Sequence, residues 1–467
     1  MLIPKDVIEI GYQGREIKEA LRAAEVAKNQ KHPKARIVQD LNAVMSSPEQ
    51  YLDHAIYKHL AALMHQKRDQ AQLIKSPLDY AIWGRENIED GAFGQMQNVM
   101  SLAPTVAGAL MPDAHFGYGM PIGGVAGLEN AVSPAMIGYD IACRVRISVF
   151  DGPLSGKKTL KNDKLRRILL NNTRFGAGEG WSKNDAPEHD VLDDPRWNSI
   201  AIAKQLKDKA RIQIGTSGSG NHFVEFGILT LEEASQELGL DAGEYLALMS
   251  HSGSRGVGHK IATEYMKRAE KNLPNLDLPY KALAWLDLNT EDGQEYWEAM
   301  NLMGDYASAN HAIIHERIAE DLGAQIIGHV ENHHNFAWKE QHGGKELIVH
   351  RKGATPAAEG QLGVIPGSMT QPAYIVVGKG EEKSLTSASH GAGRKIGRRA
   401  AERTYDQQDL KKAAKDAGVE VIGAGVDEGP YCYKDVQEVM QAQRDLVRPI
   451  ASFQPKIVRM DAGNEDI

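Results

Sequence analysis

The rhythm of apolar and polar positions along this 467-residue chain changes near residue 75. Before that point, the stretches 15–30 and 48–67 carry apolar residues at helical spacing on a background of Ala, Lys, Glu and Gln. That pattern predicts amphipathic helices. From about residue 90 the texture becomes short apolar runs punctuated by glycine: Pro121–Leu128, Val145–Phe150, Phe223–Ile228, Tyr245–Met249, Ile348–His350 and Ala373–Val377. These predict strands whose ends carry loops of His, Asp and Gly. Helical spacing returns over 197–212, 257–271, 295–322, 395–417 and Tyr433–Val447, and Gly176–Arg196 reads as a long surface loop. Strands and helices mix without regular alternation. The expected class is therefore α+β, a mixed-sheet single domain over 76–467, with a helical N-terminal extension over 1–75 that packs on the main body or on a partner.

Composition narrows the setting. Hydrophobic and charged fractions of 42% and 25% are those of an ordinary globular protein. No apolar run approaches the roughly 20 residues that span a bilayer, and the start turns charged too soon for a secretory signal. Two cysteines, Cys143 and Cys432, rule out a disulfide framework and suit a reducing compartment, so the expected location is cytoplasmic. A net charge of −8 does not advertise nucleic-acid binding. A local basic groove from Arg394, Lys395, Arg398, Arg399 and Arg403 would supply it; a solvated helix face is the equal alternative.

Four polar clusters carry ligand-type side chains: Gly138–Cys143 with Asp140 and Cys143, Gly218–Glu225 with His222, His251–Gly256, and Glu331–Asn335 with His334. Taken singly, Cys143 reads as a buried structural thiol and each histidine as a hydrogen-bonded loop residue. Together they offer a mixed hard and soft ligand set suited to Mn, Zn, Fe or Co. No C-x-x-C pair marks a structural zinc site, which favours a catalytic centre.

Two further segments suggest phosphate handling. Pro366-Gly367-Ser368-Met369 is a turn able to offer N–H groups and a hydroxyl, or simply a turn. Ser387–Arg394 is a small-residue loop expected to open a helix near Lys395, with His390 at its mouth. A helix start is a natural anion site, and a histidine there can attack phosphorus or merely cap a turn.

The ordered motifs Met111–Gly119, Gly123–Ala126, Asp140…Cys143, Gly218–His222, His251–Gly256, His334-Asn335, His350–Ala354, Pro366–Met369, His390–Arg394 and Tyr433–Asp435 resemble the RtcB family of RNA-splicing ligases, over roughly residues 75–450. The resemblance implies an RtcB-type catalytic domain and a two-manganese (Mn2+) centre. One ion would be held by Cys143, His222 and His251, the other by Asp140, Cys143 and His334. It implies that His390 takes GMP from GTP and passes it to an RNA 3′-phosphate, which a 5′-hydroxyl then attacks. A 2′,3′-cyclic phosphate end would first be opened. Nucleotide contacts are implied for Asn221, His222, Phe223, Val224, Glu225, His334, Asn335, Pro366, Gly367, Ser368, Met369, His390, Gly391, Ala392 and Gly393. RNA and GTP are the implied partners, in tRNA splicing or RNA repair, and an activator protein is a candidate partner.

Three positions depart from the family pattern. Arg144 replaces the glycine after the ligand cysteine, which would set a guanidinium near the centre. Ala373 replaces a serine. The chain runs on through Val458–Gly463 where members end on Lys-Gly, leaving Lys456 or Arg459 to replace a guanine-contacting lysine. Two other functions compete with ligation: a metal-dependent RNA-end phosphoesterase and a non-catalytic RNA-binding paralogue.

Overall fold

A computed structural model describes residues 2–12, 15–69, 73–74, 76–153 and 162–462. The terminal Gly463 of the divergent C-terminus lies outside them. The chain divides into two compact units, Met1–Ile74 and Lys75–Ile467.

In the first unit the helices Pro4–Ile10, Arg15–Asn29, Lys34–Ser46 and Lys58–Asp69 enclose a core that includes Val7, Tyr12, Ala20, Leu41, Val44, Tyr57 and Leu60. The Tyr12 hydroxyl donates to the Leu41 carbonyl at 2.7 Å, which satisfies a buried polar tip. The helix expected over 48–67 is interrupted. A 3-10 turn, Pro48–Tyr51, comes first. Then His54 Nδ1 accepts the N–H groups of Ile56 and Tyr57, at 3.2 and 3.3 Å. That ring absorbs donors left orphaned at a helix start, so the regular helix begins only at Lys58. Lys34–Ser46, which follows Pro33, is a helix the apolar spacing did not flag.

The second unit is α+β. Its larger sheet runs, in order, Leu362–Ile365, Ala373–Gly378, Val447–Met460, Phe223–Leu231, Gly243–Ser252, Arg144–Pro153 and Ile326–His333, with Glu420–Ile422 paired in parallel beside Val447–Met460. The smaller sheet runs Ala81–Ile82, Thr105–His115, Ile122–Leu128, Lys345–Lys352 and Asn335–His342. All six strands predicted from apolar runs are present. The helices Ala201–Gln213, Arg255–Asn272 and Glu291–Leu322 bury their apolar faces in one cluster around Trp197, Tyr265, Tyr296 and Tyr306. Among the described residues no helix is long and apolar enough to cross a membrane.

Three expectations need correction. Gly176–Arg196 is irregular but not a mere surface loop: Trp181, Val191 and Leu192 are buried, and Trp197 Nε1 donates to Val191 O at 2.8 Å. The helix expected over 395–417 starts at Arg398 and breaks at Tyr405, because Asp406 caps a second helix, Gln407–Asp416. Tyr433–Val447 is helical only over Val436–Ala442. There Lys434 is drawn inward, its ammonium donating to the carbonyls of Pro112 (3.1 Å) and Ala114 (2.7 Å).

His350 shows how the smaller sheet is tied to its surroundings. Its Nε2 accepts the Ser133 N–H at 3.0 Å and its Nδ1 lies 3.0 Å from Ile348 O. Burial pulls its pKa down to about 4. The unfolded chain therefore takes up a proton below about pH 6.5 that the folded ring refuses until about 4, so stability falls as pH drops through that window. At about pH 5 the loss attributable to this ring is about 2 kcal/mol. Urea midpoints measured at about pH 7.5 and about pH 5 are expected to converge in His350→Gln relative to the parent; an unchanged gap would remove His350 from the acid response.

Candidate active site

Four neighbouring strands of the larger sheet finish at one edge, and each delivers a ligand-type side chain there. Phe223, the first residue of its strand, and Val145 both pair with His251. Arg144 pairs with His333 across the next ladder. Beyond that pair the ladder continues irregularly: His334 N donates to Cys143 O at 3.0 Å and Ala142 N to Asn335 O at 2.7 Å. His222, His251, Cys143 and His334 therefore meet because each lies at, or one residue beyond, a paired strand end. Ala142 takes φ +57°, the left-handed conformation ordinarily left to glycine, as the turn delivers Cys143.

The contacts form a chain. Asp140 Oδ2 lies 3.0 Å from His222 Nε2, His222 Nε2 lies 3.5 Å from Cys143 Sγ, and Cys143 Sγ lies 3.1 Å from His251 Nε2. His251 Nε2 is 3.4 Å from His334 Nε2. The ligand atoms of Cys143, His222 and His251 all fall within 4.8 Å of one another. Asp140 has its closest ligand-type contact in His222, and His334 has its own in His251.

The rings are aimed from behind. His222 Nδ1 lies 2.8 Å from Ser217 O and His251 Nδ1 lies 3.1 Å from Asn221 O. A proton on each Nδ1 leaves each Nε2 lone pair facing the cluster. His334 Nδ1 is buried without a hydrogen-bond partner among the described residues. Burial, with His222 beside it, pulls the His251 pKa down to about 3, and burial pulls His334 well below its ordinary value. Burial raises the Cys143 thiol, and Asp140 adds to that. For Asp140, burial pushes up, but the hydrogen bond and charge of His222 and the charge of Arg255 outweigh it and bring the carboxyl to about 2. Two imidazoles kept neutral by burial, a third facing a carboxylate, and a buried thiol form a donor set that a transition-metal cation would satisfy.

His390 sits against this cluster, its ring centroid 4.9 Å from that of His334. Its Nδ1 is 2.7 Å from Asp113 Oδ2, which also accepts the His390 N–H at 3.1 Å. Asp113 is wholly buried. It fixes the ring with Nδ1 protonated and Nε2 carrying the lone pair. Within the Met111–Gly119 motif nothing marks Asp113 as the partner of a residue nearly 280 positions later.

A cavity of about 290 Å³ opens over these groups. Of the expected nucleotide contacts, Asn221, Phe223, Glu225, His334, Pro366–Met369 and His390–Gly393 line it. Phe223 and Glu225 alternate with Val224, whose side chain is buried in an apolar cluster with Phe226 and Leu248 on the other face. His222 faces the ligand cluster. Asn335 is a latch: its Nδ2 donates to Asp140 O at 3.3 Å and its Oδ1 accepts the Gly353 N–H at 2.9 Å. The Ser368 hydroxyl is buried without a hydrogen-bond partner among the described residues. Burial raises the Glu225 carboxyl well above its ordinary value. His115, Ile122, Val145, Met249, His251, Arg394, Arg398, Glu428, Tyr433, Val458 and Met460 complete the lining.

Several sequence readings change here. His390 does not stand at a helix start, since the next helix begins at Arg398. Its loop is held instead by the Asp113 contacts and by Ala392 N donating to Pro366 O at 3.0 Å. The basic cluster is partly neutralised, Arg394 by Glu428 and Arg398 by Asp427 and Glu428. Lys395, Arg399 and Arg403 are exposed. Arg144 points to the sheet face opposite His251, where it pairs with Glu331 at 2.7 Å and donates to Gly304 O at 3.1 Å. Ala373 is packed in an apolar cluster with Ile375 and Phe453. Arg459 cannot replace a lost lysine, because its guanidinium donates to the carbonyls of Leu169, Leu170 and Thr173. Lys456 is exposed and does not line the cavity.

The sequence matches the family described as tRNA-splicing ligase RtcB over residues 95–193 and 150–461. It is 33% identical over 368 residues to the RNA-splicing ligase RtcB of Escherichia coli K12, covering 73% of this chain and 87% of that protein. It is 32% identical over 431 residues to the tRNA-splicing ligase RtcB of Methanococcus maripaludis, covering 77% and 89%. Similarity to the RNA-splicing ligase RtcB of Mycobacterium bovis is 31% over 428 residues, covering 77% and 98%. The family match leaves the helical unit, Met1–Ile74, outside its limits.

One glycine tests the cluster directly. A Cβ on Gly253 would lie 2.2 Å from the Asp140 carboxylate, which the Ser254 N–H holds at 3.1 Å. Gly253→Ala is expected to displace Asp140 and weaken binding of a divalent transition metal by roughly 10–100-fold. Calorimetric metal titration reads this, and parental affinity in the variant would take Asp140 out of the ligand set.

Proposed function

Because the chain belongs to the RtcB family of RNA-splicing ligases, we propose that it joins RNA 3′-phosphate or 2′,3′-cyclic phosphate ends to 5′-hydroxyl ends through GMP carried on His390. The observation that carries this reading is the Asp113–His390 pair on the cavity wall, against His334. With Nδ1–H held by Asp113, the Nε2 lone pair is free to attack the α-phosphorus of GTP. The new N–P bond forms as the bond to pyrophosphate breaks, and Asp113 stabilises the positive charge that develops on the ring. Transfer of GMP to the RNA 3′-phosphate returns the electron pair to Nε2, and the 5′-hydroxyl then displaces GMP.

Asp140, Cys143 and His222 would hold one manganese ion and Cys143, His251 and His334 a second, with the thiolate shared. When bound, such ions neutralise phosphoryl charge and polarise attacking and leaving oxygens. The His334 ring turns its Nε2 toward His251 Nε2, which itself lies against the thiol, and this places it to serve as a ligand. Ser368 offers its unpartnered hydroxyl to the phosphates, and the Ser368 and Met369 N–H groups have no partner among the described residues. Glu225, flanked in the ladders by Met249 and Val458, is the buried polar group suited to fixing the base. Apolar Val458 and Met460 line the cavity beside it, so base selection rests on Glu225 rather than on a cation from the last strand.

Incubation with manganese and α-labelled GTP is expected to leave a covalent adduct that disappears in His390→Ala. Absence of an adduct with every nucleoside triphosphate would overturn the ligase mechanism and favour an RNA-end phosphoesterase. Asp113→Asn keeps the steric fit but removes the charge, and it is expected to slow adduct formation roughly 10–100-fold while the fold, read by circular dichroism, is retained. A parental rate in that variant would end the orienting role assigned to Asp113.

A further inference from the structure

Phe116, Tyr118 and Tyr139 are among the most exposed large apolar side chains described, at 61, 48 and 38%. Two of them meet, and all three lie within three residues along the chain of active-site positions. Tyr139 immediately precedes Asp140, and Phe116 immediately follows the cavity-lining His115. The Tyr118 and Tyr139 ring centroids lie 5.8 Å apart. Tyr139 also stacks on the exposed His259 ring at 4.9 Å and 18°. Exposed aromatic area is unfavourable in water, and a contiguous patch of it ordinarily marks a contact surface.

The loop beneath these rings is fixed rather than slack. Phe116 N donates to Glu89 Oε1 at 2.6 Å. Gln95 clasps Gly117, accepting from its N–H at 2.9 Å and donating to its carbonyl at 2.5 Å. The buried Lys352 ammonium donates to the Tyr118 carbonyl and to Ala135 O. The Phe116 ring beds on Gly91, where a Cβ would come within 2.9 Å of its Cδ2. The backbone's polar groups are thus satisfied by side chains at or in the helix Asp90–Val99 and by a buried lysine, while the rings are left to solvent.

We infer that Phe116, Tyr118 and Tyr139, with His259 behind Tyr139, form a stacking platform for the unpaired nucleobases next to the RNA 3′ end being joined. This rests on the RNA-ligase family and needs no particular nucleotide on His390. Aromatic faces hold single-stranded bases by stacking whatever their sequence, and unpaired ends are where RNA bases are free to splay onto them. The acidic chain, with its partly neutralised basic cluster, gives such stacking added weight in holding RNA. Placement beside Asp140 brings a base on the platform within about a nucleotide of the ligand cluster, and the platform thereby positions the end without touching the reacting atoms.

The test is a cycle on the full-length protein with two single-stranded 3′-phosphate RNAs, one intact and one abasic at its last two nucleotides. Affinity is read by fluorescence anisotropy. The parent is expected to bind the abasic RNA at least about tenfold more weakly, the scale of one stacked base. Phe116→Ala combined with Tyr139→Ala is expected to bind both RNAs alike, at the parent's abasic affinity, whereas Tyr139→Phe keeps the discrimination. Phe116→Ala alone, one step removed from the ligand loop, is expected to lose part of it with adduct formation on His390 intact. Equal binding of the two RNAs by the parent, or an undiminished or uniform loss in the alanine variants, would overturn the platform. Failure of the GTP adduct alone would leave it standing.

Discussion

The ladder that joins Cys143 to His334 is the constraint on which the rest of the site depends. Arg144 and His333 are paired, and one step further His334 N reaches Cys143 O, so two ligand-bearing residues are placed opposite each other by backbone alone. His251, in the next strand, pairs with Val145, and Phe223 fixes His222 beside it. A slip of one residue in any of these strands would turn its side chains to the other face. Arg144 shows the outcome of that alternation: one residue from Cys143, its guanidinium is committed to Glu331 on the other side of the sheet.

Electrostatics follow from that geometry. The ligand side chains are pressed together in a water-poor pocket, where imidazoles are kept neutral and the thiol is kept protonated until a cation compensates them. Beside this cation-seeking cluster, Asp113 presents a buried negative charge to His390, and Lys434 lies close behind it on the Pro112 and Ala114 carbonyls. The two halves are separated by a single ring contact, His334 to His390. The Cys–His cluster and His390 therefore share one wall of the cavity.

Much of this was legible from the residues. Apolar runs closed by glycine marked the strands, because strand burial and turn chemistry both leave local traces. Asp140, Cys143, His222 and His251 stood out because ligand-type side chains sat in clusters framed by glycine near strand ends, whereas the choice of His334 and the role of His390 came from the resemblance to the RtcB family. What was not legible depended on partners distant in sequence. Asp113 gains its meaning only from His390, and Asp140 is seen to face His222 only once the chain is folded. The 395–417 helix was over-extended because apolar periodicity does not register a capping box such as Asp406 with Asp409. Arg459 looked available as a charge until three carbonyls claimed it.

His334 is also the only residue between Ile326–His333, which belongs to the larger sheet, and Asn335–His342, which belongs to the smaller one. The neighbouring side chain, Asn335, ties Asp140 O to the N–H of Gly353, where Lys345–Lys352 ends. The distance between the two sheets is thereby converted into the position of one imidazole relative to the others. Packing far from the chemistry, such as Arg351 over Trp338 and against Glu340, is thus mechanically in series with the active centre. The fold works as a calliper: the spacing of the two sheets sets the spacing of the side chains gathered between them.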